Sequence, residues 1–126
     1  MISIVDDDES VREATKGLVR SLGYGAATFA SAEDFLQSNE ISDTECVISD
    51  VQMPGLGGVE LQRQLIAQGN RTPIIFITAS QEERTRARAL TAGAIGVLSK
   101  PFDEERLIEY LHTALAVRKM DTGRSA

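Results

Sequence analysis

The sequence predicts a doubly wound α/β fold, a five-stranded parallel sheet with helices on both faces. Three observations predict it. Five short apolar runs alternate with stretches of helical periodicity along the whole chain. Most of these runs are rich in Ile and Val, as strands buried on both faces are. Glycines stand where the helical stretches stop, at Gly23, Gly69 and Gly93, where a left-handed residue closes a helix. Five βα pairs in strict alternation imply parallel strands, and right-handed crossovers place helices on both sides of the sheet.

The elements follow in order. The strands are Ile2–Val5, Ala26–Phe29, Cys46–Ser49, Ile74–Ile77 and Gly96–Leu98. In the first helix Val11, Ala14, Leu18 and Leu22 share one face at spacings of three and four. Ser31 with Asp34 predicts a helix start after the second strand. Leu61 and Leu65, with Ile66 beside them, mark the third helix. The segment 81–92 has only Ala87 and Leu90 as inward candidates and carries Arg84, Arg86 and Arg88. It predicts a marginal, exposed helix, with Ser80 and Glu83 as a capping box. Asp103 is placed to cap the last helix, whose inner face is Leu107, Ile108, Leu111 and Leu115. The apolar pattern ends near Arg118, so one domain is expected over 1–118, with a polar tail or the start of a linker at 119–126.

Bulk composition narrows the function. A chain of 126 residues fits one domain, and 42% hydrophobic residues suffice for one core. The net charge of −6 opposes a nucleic-acid surface, which needs a basic stripe, and opposes docking on an anionic membrane. No apolar stretch approaches the ~20 residues of a membrane span. With no signal-peptide core either, the expected location is the cytoplasm. A single Cys and a single His exclude a Cys/His metal cluster. Cys46, inside an apolar run, reads as a small buried hydrophobe, and His112 as a surface or boundary residue.

Ligands of open parallel sheets bind outside the carboxyl ends of the strands. The first strand is followed by Asp6, Asp7, Asp8 and Glu9; the third ends at Asp50, the fourth at Thr78 and the fifth near Lys100. Taken singly, each has a bland explanation: an acidic run before a helix serves its dipole, and a lone Thr or Lys is solvated surface. Asp50 differs, because it closes an apolar run with no turn residue between, and a half-dry charge needs a partner. Lys100 or a cation can be that partner. Carboxylates suit hard cations such as Mg²⁺, and Mn²⁺ could take its place. Asp6 and Asp7 would hold the ion beside Asp50. Asp50 would then be a nucleophile accepting a phosphoryl group, with Lys100 and the Thr78 hydroxyl on the phosphoryl oxygens.

These residues resemble a known family. The stretches IleValAspAspAsp at 4–8, SerAspValGlnMetProGlyLeuGlyGly at 49–58, ProIleIlePheIleThrAla at 73–79 and SerLysProPhe at 99–102 are similar to the receiver domains of bacterial response regulators, the CheY-like family. The wording around MetProGly and GlyValGluLeu is most like the FixJ-type subgroup, whose members often carry a C-terminal helix-turn-helix domain. The resemblance spans about residues 2–117. It implies a (βα)5 flavodoxin-like fold with strand order 2-1-3-4-5. It implies a signalling domain rather than a turnover enzyme. Asp50 would be phosphorylated by the phosphohistidine of a sensor histidine kinase. Asp7 would bind Mg²⁺ directly, Asp6 partly through water, and the Gln52 backbone carbonyl would be a further ligand. It also implies a cis Lys100–Pro101 bond and a switch face made of the fourth helix, fifth strand and fifth helix. That face would control an output domain, a partner or a phosphorylation-dependent homodimer. Direct nucleic-acid binding by this domain and membrane binding are not expected.

One departure stands out. Three residues before the lysine the family usually carries Tyr or Phe, which turns inward on activation; here it is Val97. The phosphorylation machinery is complete while the relay is altered. Two other functions compete. A phosphatase of the haloacid-dehalogenase type needs a second acid two residues after the nucleophile, where this chain has Gln52. A degenerate receiver would act as an interaction module without phosphorylation, although every acceptor residue is present. A nucleotide-binding domain would need a glycine-rich phosphate loop after the first strand, and there is none.

Overall fold

A computed structural model describes residues 1–79, 83–100 and 102–125, with residues 117–125 as backbone alone. Continuously apolar segments take the centre and amphipathic ones cover them. The strands are β1 (Ile2–Val5), β2 (Ala26–Phe29), β3 (Cys46–Asp50), β4 (Ile74–Thr78) and β5 (Gly96–Ser99). The helices are α1 (Glu9–Ser21), α2 (Ala32–Leu36), α3 (Gly58–Ala67), α4 (Glu83–Thr91) and α5 (Glu104–Ser125). A short 3-10 turn, Ile41–Asp43, precedes β3. All strands are parallel, in the order β2-β1-β3-β4-β5. This is the expected doubly wound sheet.

Strand alternation splits the core in two. Ile2, Ile4, Cys46, Ile48, Ile75, Ile77 and Leu98 face α1 and α5, meeting Val19, Leu107, Leu111 and Ala114. Val5, Val47, Ile74, Phe76 and Val97 face α2, α3 and α4, meeting Phe35, Leu61, Leu65 and Ala89. The expected terminators hold: Gly23, Gly69 and Gly93 all have positive φ. Ser31 accepts from the Asp34 N–H at 3.1 Å, and Asp103 accepts from the Glu105 N–H at 2.9 Å. Ser80 and Pro101 lie outside the described residues, and with them the expected Ser80–Glu83 cap and the expected cis Lys100–Pro101 bond. Helix α5 runs on past the expected boundary at residue 118. Among the described residues no helix is long and apolar enough to cross a membrane.

Two helix faces differ from expectation. In α1 the deepest residues are Thr15 and Val19, while Ala14 is exposed. Thr15 can sit there because its hydroxyl donates to the Val11 carbonyl at 2.7 Å and so stays satisfied when buried. In α4 the inward residue is Ala89, whereas Ala87 and Leu90 point to solvent.

Candidate functional site

Sheet register brings the strand ends together. Val5 pairs with Ser49, so Asp6 emerges beside Asp50. Asp50 pairs with Ile77, and Thr78 with Ser99, which puts Thr78 and Lys100 on the same edge. The acidic run after β1 is sorted into distinct duties. Asp6 is 2% exposed, and its Oδ1 accepts from the Asp8 N–H at 2.9 Å. Asp8 caps α1, accepting from the N–H groups of Ser10 and Val11 at 2.9 and 3.3 Å. Asp7 is exposed. The bland explanation of the run thus holds for Asp8, the cap, and for Glu9 in the first turn of α1.

Asp50 is 6% exposed. Its Oδ1 accepts from the Gln52 N–H at 3.1 Å, and its Oδ2 from the Lys100 ammonium at 2.9 Å. The same ammonium lies 3.3 Å from Asp6 Oδ2. Burial works to lower the Lys100 pKa, but the hydrogen bond and charge of Asp50, with Asp6 behind them, outweigh it and hold the group above its usual value. Asp6 moves up, chiefly because burial disfavours its charge and secondarily because Asp50 repels it; the Asp8 N–H and Lys100 only partly offset this. Gly58 is part of the construction. A Cβ there would run into the Asp50 carbonyl oxygen and the Phe76 ring, so only glycine lets α3 begin this close to the Asp50 backbone. Thr78 is buried, and its carbonyl accepts from the Lys100 N–H at 2.8 Å.

Asp6, Asp7 and Asp50 each present one carboxylate oxygen, all within 4.8 Å of one another. The donors are oxygens only, with no imidazole or thiolate among them. That set fits a hard divalent cation such as Mg²⁺. It does not fit a zinc centre of the structural kind. For Gln52 the contact that is seen is its backbone N–H on Asp50. Val97 sits away from this cluster, 3% exposed in the core beneath α4.

Two residues at or near the site carry no signal in the sequence. Arg12 donates to the Asp6 carbonyl at 2.8 Å, one turn into α1. Arg86 of α4 donates to the Val97 carbonyl at 3.2 Å and to the Ser99 hydroxyl at 3.3 Å. An arginine in an exposed helix reads as surface charge, so neither is marked in advance. Cys46 is fully buried and its thiol is pushed up to about 12 by burial, as an inert core residue should be.

Comparison with known proteins gives the family of the chain. A family model for the response regulator receiver domain matches residues 2–112. The response regulator protein TodT of Pseudomonas putida is 42% identical over 115 residues, which are 91% of this chain and 51% of TodT. The transcriptional regulatory protein FixJ of Bradyrhizobium diazoefficiens is 35% identical over 114 residues, 90% of this chain and 56% of FixJ. The chain thus spans about half the length of these relatives. The solved structure of the response regulator StyR superposes with a TM-score of 0.91 at 39% identity, covering 98% of this chain and 63% of that one. The chain belongs to the response regulator receiver domain family.

Proposed function

We propose that this domain accepts a phosphoryl group on Asp50 from the phosphohistidine of a sensor histidine kinase, with a Mg²⁺ ion bound. The observation that carries the proposal is the meeting of Asp6, Asp7 and Asp50 with Lys100, whose ammonium bridges two of the three carboxylates. Asp6, Asp7, Asp50 and the Gln52 backbone carbonyl would hold the ion. When bound, it supplies positive charge against the phosphoryl oxygens and the carboxylates. An Asp50 carboxylate oxygen attacks phosphorus, the bond from phosphorus to the donor imidazole nitrogen breaks, and an acyl phosphate forms. Lys100 exchanges its Asp50 contact for a phosphoryl oxygen, and the Thr78 hydroxyl donates to another. Hydrolysis of the acyl phosphate resets the site, so the chemistry is self-limited and the domain is a signalling element, not a turnover enzyme.

The readout proposed is the face of α4, β5 and α5, acting on an output domain, a partner protein or a second phosphorylated copy. Transcriptional output fits the relatives, FixJ among them. Incubation with Mg²⁺ and a small acyl phosphate, followed by intact mass, tests the proposal. A labile gain of one phosphoryl, absent in Asp50→Asn, is expected. No gain would leave a phosphorylation-independent interaction module. Repeated turnover on varied phosphomonoesters would mean a phosphatase.

A further inference from the structure

We propose that Arg86 is a positioning residue that ties α4 to the strand leading to Lys100, and that this tie belongs to the unphosphorylated state. The proposal rests on the reading of Asp50 as phosphoacceptor. Helix α4 has little apolar contact to hold it, since Ala89 alone of its nine described residues is buried; just past its end the Gln62 amide of α3 donates to the Ala92 carbonyl at 3.2 Å. Arg86 is half-buried and carries a full charge, yet no acid pairs with it among the described residues. Its guanidinium turns to two neutral acceptors on β5. One nitrogen donates to the Val97 carbonyl at 3.2 Å, the other to the Ser99 hydroxyl at 3.3 Å. A planar fork can serve two acceptors two residues apart; an ammonium on a single stem fits this arrangement poorly. Bonds from a charged donor are stronger than neutral ones of the same length, so even these long ones add to the hold on a helix with so little apolar contact.

The tie also sits where the signal must pass. Ser99 adjoins Lys100 and pairs in register with Thr78. Lys100 in turn bonds Asp50 directly at 2.9 Å, a contact that a phosphoryl group on Asp50 would have to displace. Re-pairing of Lys100 pulls on the 99–100 peptide. Both Arg86 bonds are already at the long end of useful hydrogen-bond distances, so a shift of a few tenths of an ångström breaks them. Val97 cannot take over this part. It is 3% exposed, β-branched, with one torsion, and is locked in the core. The movable link between strand and helix is the arginine fork.

Beryllofluoride with Mg²⁺, a mimic of the phosphoryl group, is the probe. If the tie favours the unphosphorylated state, linkage requires that Arg86→Ala bind the mimic more tightly, by about fivefold or more. In EDTA the amides of 84–91 should exchange faster in this variant. Ser99→Ala should move both readouts the same way by less, and the double variant should add little to Arg86→Ala, because the two residues share one bond. Arg86→Lys should restore the wild-type values only in part. Unchanged or weaker mimic binding by a folded Arg86→Ala would overturn the proposal. Should that variant fail to fold, Ser99→Ala and Arg86→Gln decide the matter by the same readouts. A wild-type protein that does not bind the mimic overturns the phosphoacceptor reading and this proposal with it. Normal wild-type binding that is indifferent to Arg86 overturns this proposal alone.

Discussion

Strand β3 buries all five of its residues, and helix α4 buries one of its nine described ones. The strand is hydrogen-bonded on both sides, by β1 and β4, while the helix lies on β5, the edge of the sheet. The two regions belong to one small domain and are held by different physics. The role proposed for Asp50 needs its carboxylate placed within a fraction of an ångström, which apolar packing on both faces provides. An element that reports a chemical state needs two arrangements close in free energy, which sparse packing and a few polar ties allow. The difference teaches where to expect rigidity and where to expect response.

The largest test strikes the rigid region. Phe76 is fully buried in β4 and lies against the start of α3 beside Gly58. Phe76→Ala should cost about 4 kcal/mol in urea titrations, as large-to-small changes in dense cores do. A loss below about 1 kcal/mol would mean that the sheet is not the stiff part.

Next comes the charge cluster. Lys100→Met leaves Asp6 and Asp50 facing each other without a counter-charge. Unpairing a fully dry ion pair costs about 3–5 kcal/mol, but the Lys100 side chain keeps some contact with water, so about 2 kcal/mol is expected in EDTA. Saturating Mg²⁺ should return most of it, since a ligand at a hundred times its Kd stabilises by about 2.7 kcal/mol. A variant as stable as wild type in EDTA would show that the lysine does not hold the site together.

A smaller effect follows from Cys46, in the middle of the sheet. Below pH 9.0 the thiol is protonated in both folded and unfolded chains and adds no pH dependence. Above it the unfolded thiol ionises first, while burial holds the folded one to about 12, so stability drains away across that window. At pH 10 the loss is about 1.4 kcal/mol, one unit's worth. Lys100, held above 10.5, loses its contribution in the same direction but at higher pH. Melts of wild type and Cys46→Ala between pH 7 and 10 should therefore diverge in slope. Parallel curves would place the thiol in contact with water.

These regions are not equally legible in the sequence. Strand β3 announces itself, because Cys46, Val47 and Ile48 are apolar and Asp50 follows Ser49 without a turn residue. The strand ends can be paired with one another because parallel topology leaves few alternatives, which is why residue order alone puts Asp6, Asp50, Thr78 and Lys100 on one edge. The division of labour in the acidic run is not legible. Asp6, Asp7 and Asp8 look alike until the chain bends into α1 and gives the third of them two N–H groups to accept. Helix α4 misleads because its apolar residues are too few to fix a face. Ala87 and Leu90 are the natural inward pair, yet the residue that is buried is Ala89. Arg86 is invisible for a related reason, since its acceptors lie eleven and thirteen residues away on another element.

The smallest expected effect decides between those two views of α4. If Leu90 faced the core, Leu90→Ala would lose about 2–5 kcal/mol, as buried leucines do. Leu90 is instead 45% exposed, so truncation should change stability by about 0.5 kcal/mol or less. The measurement needs only urea curves of the two proteins at one pH, with equal slopes confirming that the same surface unfolds. A near-zero change means that apolar burial contributes little to the seating of α4, which leaves Ala89, the Arg86 fork and the Gln62–Ala92 hydrogen bond to hold it. A loss above about 1.5 kcal/mol would mean that Leu90 is covered in solution. The helix would then be as firmly packed as the strands, and the contrast between a rigid site and a lightly held reporter would fail.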